Sequence, residues 1–244
     1  MGHVTVVGGC RAKAPSSGIL ASSLAVGSSV YLMENGVAAE YLVVNQGKPS
    51  GSSLYDDSCD GLWLLRKDLY EARAWHASID NRYSESDIHA YLNNTFLGLF
   101  DTNAQSAIKQ VKIPYGSGRG VATVNSGGNG VSAKVFLLSG YEVGFTTSDG
   151  GYAAYLVEDG AKLSYFESGT GSTAKAKRIA NLNGSANTWW LRTSVKNNYA
   201  PNMIEADGSV SNRSAYDLHG IRPALVLPPT ALFDEETMVL KGVT

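Results

Sequence analysis

The residues from which nucleophilic, redox or metal chemistry would be built are few and scattered. The four histidines, His3, His76, His89 and His219, each stand apart from a second ligand or a nucleophile. His89 follows Glu85 by one helical turn, a spacing that marks a surface pair more often than an acid–base couple. Glu142 follows Tyr141 in a turn, and Glu158-Asp159 precede Gly160, again without a partner base in sequence. Hydrolysis needs a base beside a nucleophile or two facing carboxylates, and no such set is legible. The two cysteines, Cys10 and Cys59, are far apart and form neither a CxxC pair nor a Cys/His metal pattern. Two free thiols in a protein made in a reducing cytoplasm is the reading, with one disulfide left open. No metal site, cofactor or enzymatic activity is expected.

What the chain does carry is a polar stretch held between two apolar ends. Trp189-Trp190-Leu191-Arg192 opens it and Gly220-Ile221-Arg222-Pro223-Ala224-Leu225-Val226-Leu227-Pro228 closes it. Residues 193–219 are rich in Asn, Ser, Asp and Tyr. Tyr gives contact area at low entropy cost, and Asn and Ser give adaptable hydrogen bonds. The expected ligand-binding residues are therefore Thr193, Lys196, Asn197, Asn198, Tyr199, Asn202, Asn212, Arg213 and Tyr216. Trp189, Trp190, Arg192 and Arg222 are expected to be structural. The two tryptophans should point to opposite faces of a strand, at least one of them to the core; a sugar-stacking role for the other is the lesser alternative to a structural one. Each arginine sits in an apolar run and needs a partner if buried; Glu142, Asp68 and Asp149 are the candidates.

Composition narrows the class of protein. Charged residues make up 17% of the 244, Gly numbers 27 and net charge is −2. Low charge with many glycines points to a turn-rich, sheet-rich fold, and the absence of a basic run makes nucleic acid a poor partner. No run of apolar residues is long enough for a membrane helix. Ile19 to Val26 is too short and too polar for a signal peptide, so none is expected.

The elements that would position the polar stretch can be read in order. Residues 1–27 read as an N-terminal arm, with breaker-rich Gly8-Gly9 and Ala14 to Gly18. Two β-rich runs around Glu34-Asn35-Gly36 predict a hairpin, and Leu62 to Leu65 a buried strand. Ser84, with Asp87 three residues on, predicts the cap of a first helix carrying Ile88, Tyr91, Leu92, Phe96 and Leu99 on one face. Asp101 caps a second, which Pro114 stops. Beyond residue 115 no convincing long helix is legible; Lys134 to Leu138 reads as a strand, and 145–175 as a long loop region of the kind that carries function. Two early helices and later strands with long loops make the fold class α+β.

Several strings in order then carry a likeness: Leu64-Leu65-Arg66-Lys67-Asp68, Ser86-Asp87-Ile88-His89, Tyr91-Leu92-Asn93-Asn94, Ile108 to Pro114, Phe136-Leu137-Leu138-Ser139, Trp189 to Arg192 and Gly220 to Leu225. Together they resemble a family of uncharacterised domains common in Gram-positive gut bacteria and their phages. Its architecture is similar to the C-type lectin fold, in the branch shared with formylglycine-generating enzymes and retroelement variable proteins. The likeness covers residues 28–230 as one domain and leaves 1–27 as the arm and 231–244 as a C-terminal tail. It implies two helices packed on antiparallel sheets, with long C-terminal loops as a ligand-reading surface.

This chain departs from the active members of that fold. No cysteine follows Cys59, so formylglycine-type oxidase chemistry lacks its nucleophile. Ala200-Pro201-Asn202 lacks the carboxylate of a lectin calcium motif, and Asp207 with Asp217 is too thin for calcium. The resemblance implies a non-enzymatic virion protein, tail-associated or head-decorating, made in the host cytoplasm. It would attach to other virion proteins by its arm and bind a bacterial surface glycan or protein, with a homo-oligomer as the prior. The alternatives are a purely structural virion protein, and an enzyme with a site in the 145–175 loop.

Overall fold

The structure is a computed structural model that describes residues 18–49 and 53–243. Its framework begins with the hairpin read from the sequence. Ser29–Glu34 pairs with Val37–Gln46, and Glu34 faces Val37 across a two-residue turn. Asn35 and Gly36 both take positive φ, 49° and 78°. That is the turn an Asn-Gly pair makes at least cost, because its twist matches the twist of the strands.

The hairpin is one side of a five-stranded antiparallel sheet. Its order runs Val135–Phe136, Ala224–Leu227, Leu62–Arg66, Val37–Gln46 and Ser29–Glu34. The second and third strands are apolar without alternation, and Leu62 to Leu65 and Ala224 to Leu227 are buried throughout. A strand covered on both faces reads as a continuous hydrophobic run, and these do.

A second five-stranded sheet carries the polar stretch. Its order is Val210–Asn212, Pro201–Ile204, Trp189–Ser194, Leu218–Gly220 and Ala72–Ala74, with one parallel contact between Trp189 and Gly220. The central strand Trp189–Ser194 is buried at all six positions. Both tryptophans are core: Trp189 Nε1 donates to Arg178 O and Trp190 Nε1 to Arg73 O. Neither is open to stack on a sugar, because both are fully buried.

The helices are shorter than the apolar periodicity suggests. One continuous run passes from α (Asp87–Tyr91) through a π turn (Leu92–Phe96) to a closing 3-10 turn (Leu97–Leu99). Its cap is Ser86 rather than Ser84: the Ser86 hydroxyl accepts from His89 N at 3.2 Å. Ser84 falls within a preceding 3-10 turn, Tyr83–Glu85. Ile88, Leu92 and Phe96 point into the core, where Phe96 meets Tyr70 and Phe100 edge to face. Asp101 caps Thr102–Ala107 as expected, accepting from Ala104 N at 2.8 Å. A third helix, Ser172–Arg178, lies in the stretch read as loop. The fold is mixed α+β, mostly sheet with a few short helices.

The described part of the arm and the tail are built into the domain. Ile19–Leu20, Ala231–Phe233 and Leu240–Val243 form a three-stranded sheet, and Ala21, Ala231, Phe233 and Leu240 are buried. The boundaries drawn at residues 28 and 230 therefore do not separate packing units, because both flanks bury apolar side chains against the same core. Residues 1–17, with His3 and Cys10, lie outside the described residues, and so does any Cys10–Cys59 pairing. Cys59 itself is buried, with its thiol donating to Lys112 O at 3.2 Å. No helix among the described residues is long and apolar enough to cross a membrane.

Candidate functional site

The densest group of titratable side chains is wholly buried. Arg192, on the central strand, makes a two-pronged ion pair with Glu142, Nη1 to Oε2 and Nη2 to Oε1, both at 2.6 Å. Its remaining donors go to the carbonyls of Pro114, Leu137 and Asp159. Glu142 also accepts from Tyr55 Oη at 2.7 Å and from Ser139 N at 2.9 Å. Removing two charges from water costs several kcal/mol each, and a fully bonded pair is needed to offset it. Burial opposes the charge on Arg192, but Glu142 outweighs it and the guanidinium's pKa is raised. Burial and Glu142 together raise the Tyr55 phenol well above its usual range. Neither arginine nor glutamate touches solvent, so this group is a clamp on four loops and not a catalytic set.

Asp159 is the strained member of that group. Its Oδ1 accepts from Thr193 Oγ1 at 2.7 Å, while its Oδ2 is buried with no hydrogen-bond partner among the described residues. Burial pushes its pKa up to about 6, against the opposing pull of Arg192 and Thr193.

Two further arginines are buried without an acid. Arg178 donates to the carbonyls of Val143, Glu167 and Gly169 and stacks on the Phe145 ring at 3.6 Å. Arg222 donates to the carbonyls of Arg66 and Lys67 and lies over Trp189 at 5.1 Å. Burial lowers both pKa values, to about 10. Glu142 is thus the partner of Arg192 as anticipated. The carboxylate partner expected for Arg222 is replaced by main-chain carbonyls, which stay within reach where a charged acceptor would need its own desolvation.

On this frame sits an exposed segment. Thr146 and Asp149 form a reciprocal cap, Gly150 turns the chain at φ 70°, and Gly151–Tyr155 follows as a 3-10 turn. The segment is then pinned to the central strand's continuation, where Leu156 bridges Val195 and Lys196 N donates to Tyr155 O at 2.9 Å. Tyr152 and Tyr155 are left 49% and 44% exposed. Three hollows follow the segment. The largest, about 470 Å³, is a cleft bordered by Phe145, Asp149, Tyr152, Lys175, Glu205 and Ser209. A second of about 360 Å³ lies at Gly151, Tyr152, Ala154 and Tyr155. A third of about 240 Å³ is lined by Ala122, Leu156, Val157, Glu158 and Lys196. The first is within the size range of small-ligand sites.

The residues picked from sequence divide between core and three surfaces. Thr193 and Asn202 are buried. Thr193 Oγ1 is shared between Asp159 and Gly140 N, and Asn202 Nδ2 donates to Thr193 O, so neither meets a ligand. Polar residues in a loop-like string usually sit at the surface; these two fill a strand pair. Lys196 lines the third hollow. Asn197, Asn198 and Tyr199 are exposed on the turn that follows, held from below by Asn81 Nδ2 on the carbonyls of Asn198 and Ala200. Asn212 is half-buried, and exposed Arg213 reaches back to Glu205 and Ser211 at the cleft. Tyr216 is exposed but belongs elsewhere. It adjoins strand Leu218–Gly220, two strands from Pro201–Ile204, beside a hollow of Ala72, Arg73, Ala74 and Leu218. Tyr152, Tyr155, Glu205 and Ser209 are not among the residues picked from sequence, and Asp149 and Glu158 are named there only as an arginine partner and a lone acid, although 145–175 reads as a loop region that carries function. The signal for two of them was present: a Gly-Gly pair followed by Tyr152 and Tyr155 in a stretch with no apolar stripe.

Nothing in this surface pairs a base with a nucleophile. Glu142, which a catalytic reading would use, is buried in its ion pair, and Glu158 has no histidine beside it on the hollow it lines. His89 and His219 are partly buried, and burial lowers both pKa values. Among the described residues no three His, Cys, Asp or Glu side chains come together as a metal site. The molecule is thus a mixed α+β domain with a buried ionic frame and one tyrosine-bearing, hollowed face. The chain belongs to the family described as a domain of unknown function, DUF6273, whose pattern matches residues 60–229. No curated protein and no solved structure matches it.

Proposed function

We propose that the protein is a non-enzymatic recognition module of C-type lectin-like architecture. It is carried on a phage particle, at the tail or as a head decoration, and reads a bacterial surface glycan or protein. The observation that carries this reading is the face along Gly151 to Glu158. Two large tyrosines, Tyr152 and Tyr155, stand open on hollows whose backbone is tied to a buried strand, and a third, Tyr199, is exposed on the turn after Lys196. Exposed aromatic anchors on a rigid support are the usual cost-effective design for binding, since little order remains to be imposed on contact. The particle context rests on the sequence resemblance, and so does attachment to other virion proteins through the N-terminal arm, the part of which from Ile19 to Ala21 packs into the domain.

The test is binding of the labelled full chain to intact host bacteria, beside a triple variant Tyr152→Ala, Tyr155→Ala, Tyr199→Ala. Binding should be lost while the melting temperature holds. Retained binding by the variant would move the reading face elsewhere. No binding by the native chain, with normal incorporation into particles, would favour the purely structural virion protein.

A further inference from the structure

We propose that the large cleft takes an uncharged sugar ring, without a metal. This rests on the recognition reading and names the ligand class of the same face. The argument is an accounting of charge and hydrogen-bonding capacity around the cleft. Three cations border or underlie it. Lys175 Nζ is held by Asp207 Oδ2 at 2.5 Å. Arg213 is held by Glu205 Oε1 at 3.1 Å and by Ser211. Arg178, stacked on Phe145, gives Nε and Nη2 to three carbonyls, and its Nη1, without a partner among the described residues, is buried and not on the cleft wall. Three carboxylates, Asp149, Glu205 and Asp207, balance them, so the formal charge of the site cancels.

What remains free on the acids is of one kind. Both oxygens of Asp207 are occupied, one by Lys175 and the other by Ser209 N and Oγ. Asp149 Oδ2 is taken by Thr146. That leaves Asp149 Oδ1 and Glu205 Oε2 with no hydrogen bond from the protein among the described residues. The open capacity of the cleft's acids is therefore that of acceptors, set beside an aromatic ring and the hydroxyls of Tyr152 and Thr170. A phosphate or sulfate finds the surface cations Lys175 and Arg213 already paired and two carboxylates in its way. An ammonium finds Lys175 and Arg178 close by and no net field to draw it in. Hydroxyl donors of a neutral ring satisfy both free carboxylate oxygens, and hydrogen bonds to a charged acceptor are the stronger kind. The ring's apolar face lies against Tyr152. Calcium bridging, the other way to hold sugar hydroxyls, needs several carboxylates on one ion, and no such group exists among the described residues.

The experiment uses the full chain on a glycan array containing neutral, amine-bearing and phosphate-bearing saccharides, with titration calorimetry on each class of hit. Hits should fall among uncharged saccharides. They should survive EDTA and a rise from about 0.05 M to about 0.5 M salt, where interactions between open charges are screened. Tyr152→Ala should weaken them about tenfold or more. Glu205→Gln keeps the Arg213 contact and removes the charged acceptor, and should weaken them several-fold. Both variants should melt like the native chain. Hits concentrated among charged glycans, loss of binding in EDTA, or indifference to Tyr152→Ala would each overturn the proposal. An array without hits, while the triple tyrosine variant still abolishes cell binding, would overturn this ligand class and leave the recognition reading standing. An array without hits and no cell binding would remove both.

Discussion

Replacing Asp159 by asparagine should stabilise the protein at neutral pH and leave it unchanged in acid. The carboxyl is buried, its Oδ1 is held by Thr193, and its Oδ2 has no partner. Its folded pKa of about 6 stands above the ordinary value of 3.8. The folded state therefore holds a proton between about pH 4 and pH 6 that the unfolded state has already released. Under linkage, stability falls as pH rises through that window: the contribution is complete below the unfolded value and gone above the folded one. Each pH unit between the two values is worth a little over 1 kcal/mol, so ionised Asp159 costs roughly 3 kcal/mol above pH 7. Asparagine keeps the acceptor for Thr193 and never ionises. For a chain of this size each kcal/mol moves the melting temperature by about 2–4 °C. The variant should melt roughly 6–12 °C above the native chain at pH 8 and within about 2 °C of it at pH 4. The assay is thermal unfolding of both proteins across pH 4 to 8. Parallel curves with a constant offset would refute the reasoning, because they would mean that Asp159 does not titrate between those limits.

Breaking the buried ion pair from one side is the harsher change: Arg192→Met leaves Glu142 charged and unpaired, and the urea midpoint should report a loss of about 3–5 kcal/mol. A loss under ~1 kcal/mol would mean that solvent reaches the pair. Burial, reinforced by Glu142, pushes the Cys59 thiol up to about 11. In a Cys10→Ser background, native protein at pH 8 should leave a thiol reagent unreacted until denaturant is added; rapid reaction would show that Cys59 is open. Arg178→Gln removes the tie between three loop carbonyls, so limited proteolysis within residues 144–171 should speed up by about tenfold as local opening becomes easier. Unchanged cleavage would assign the ordering of those loops to other contacts.

What the sequence disclosed was governed by short-range physics. The Asn35-Gly36 turn, the Asp101 cap and the continuous apolar strands Leu62 to Leu65 and Ala224 to Leu227 follow from backbone preference and burial, and each is where its residues place it. The Arg192–Glu142 pair was within reach because an arginine in an apolar run needs an acid. The face was legible in part. Lys196 lines one of its hollows and Arg213 reaches Glu205 at another, but its centre is the 151–158 segment, some forty residues earlier, inside a stretch whose length marks it as a functional loop without saying which residues it presents. Polarity could not separate Thr193 and Asn202, which bond inward, from Asn197 and Asn198, which do not. The difference lies in whether another segment closes over the strand, and that depends on long-range packing. The caps differ by the same token: Ser84 and Ser86 both offer a hydroxyl, and Tyr83 packing in the core selects the second.

Arg178 fastens the loops around the hollowed face by gripping peptide carbonyls, and every amino acid supplies a peptide carbonyl. A substitution at an exposed position of this face removes a side chain and leaves the grip intact. The residues that set the shape of the loops are therefore not the residues that meet a ligand. In evolutionary terms, the surface can drift from one specificity to another by single changes, at little expense to the fold that presents it.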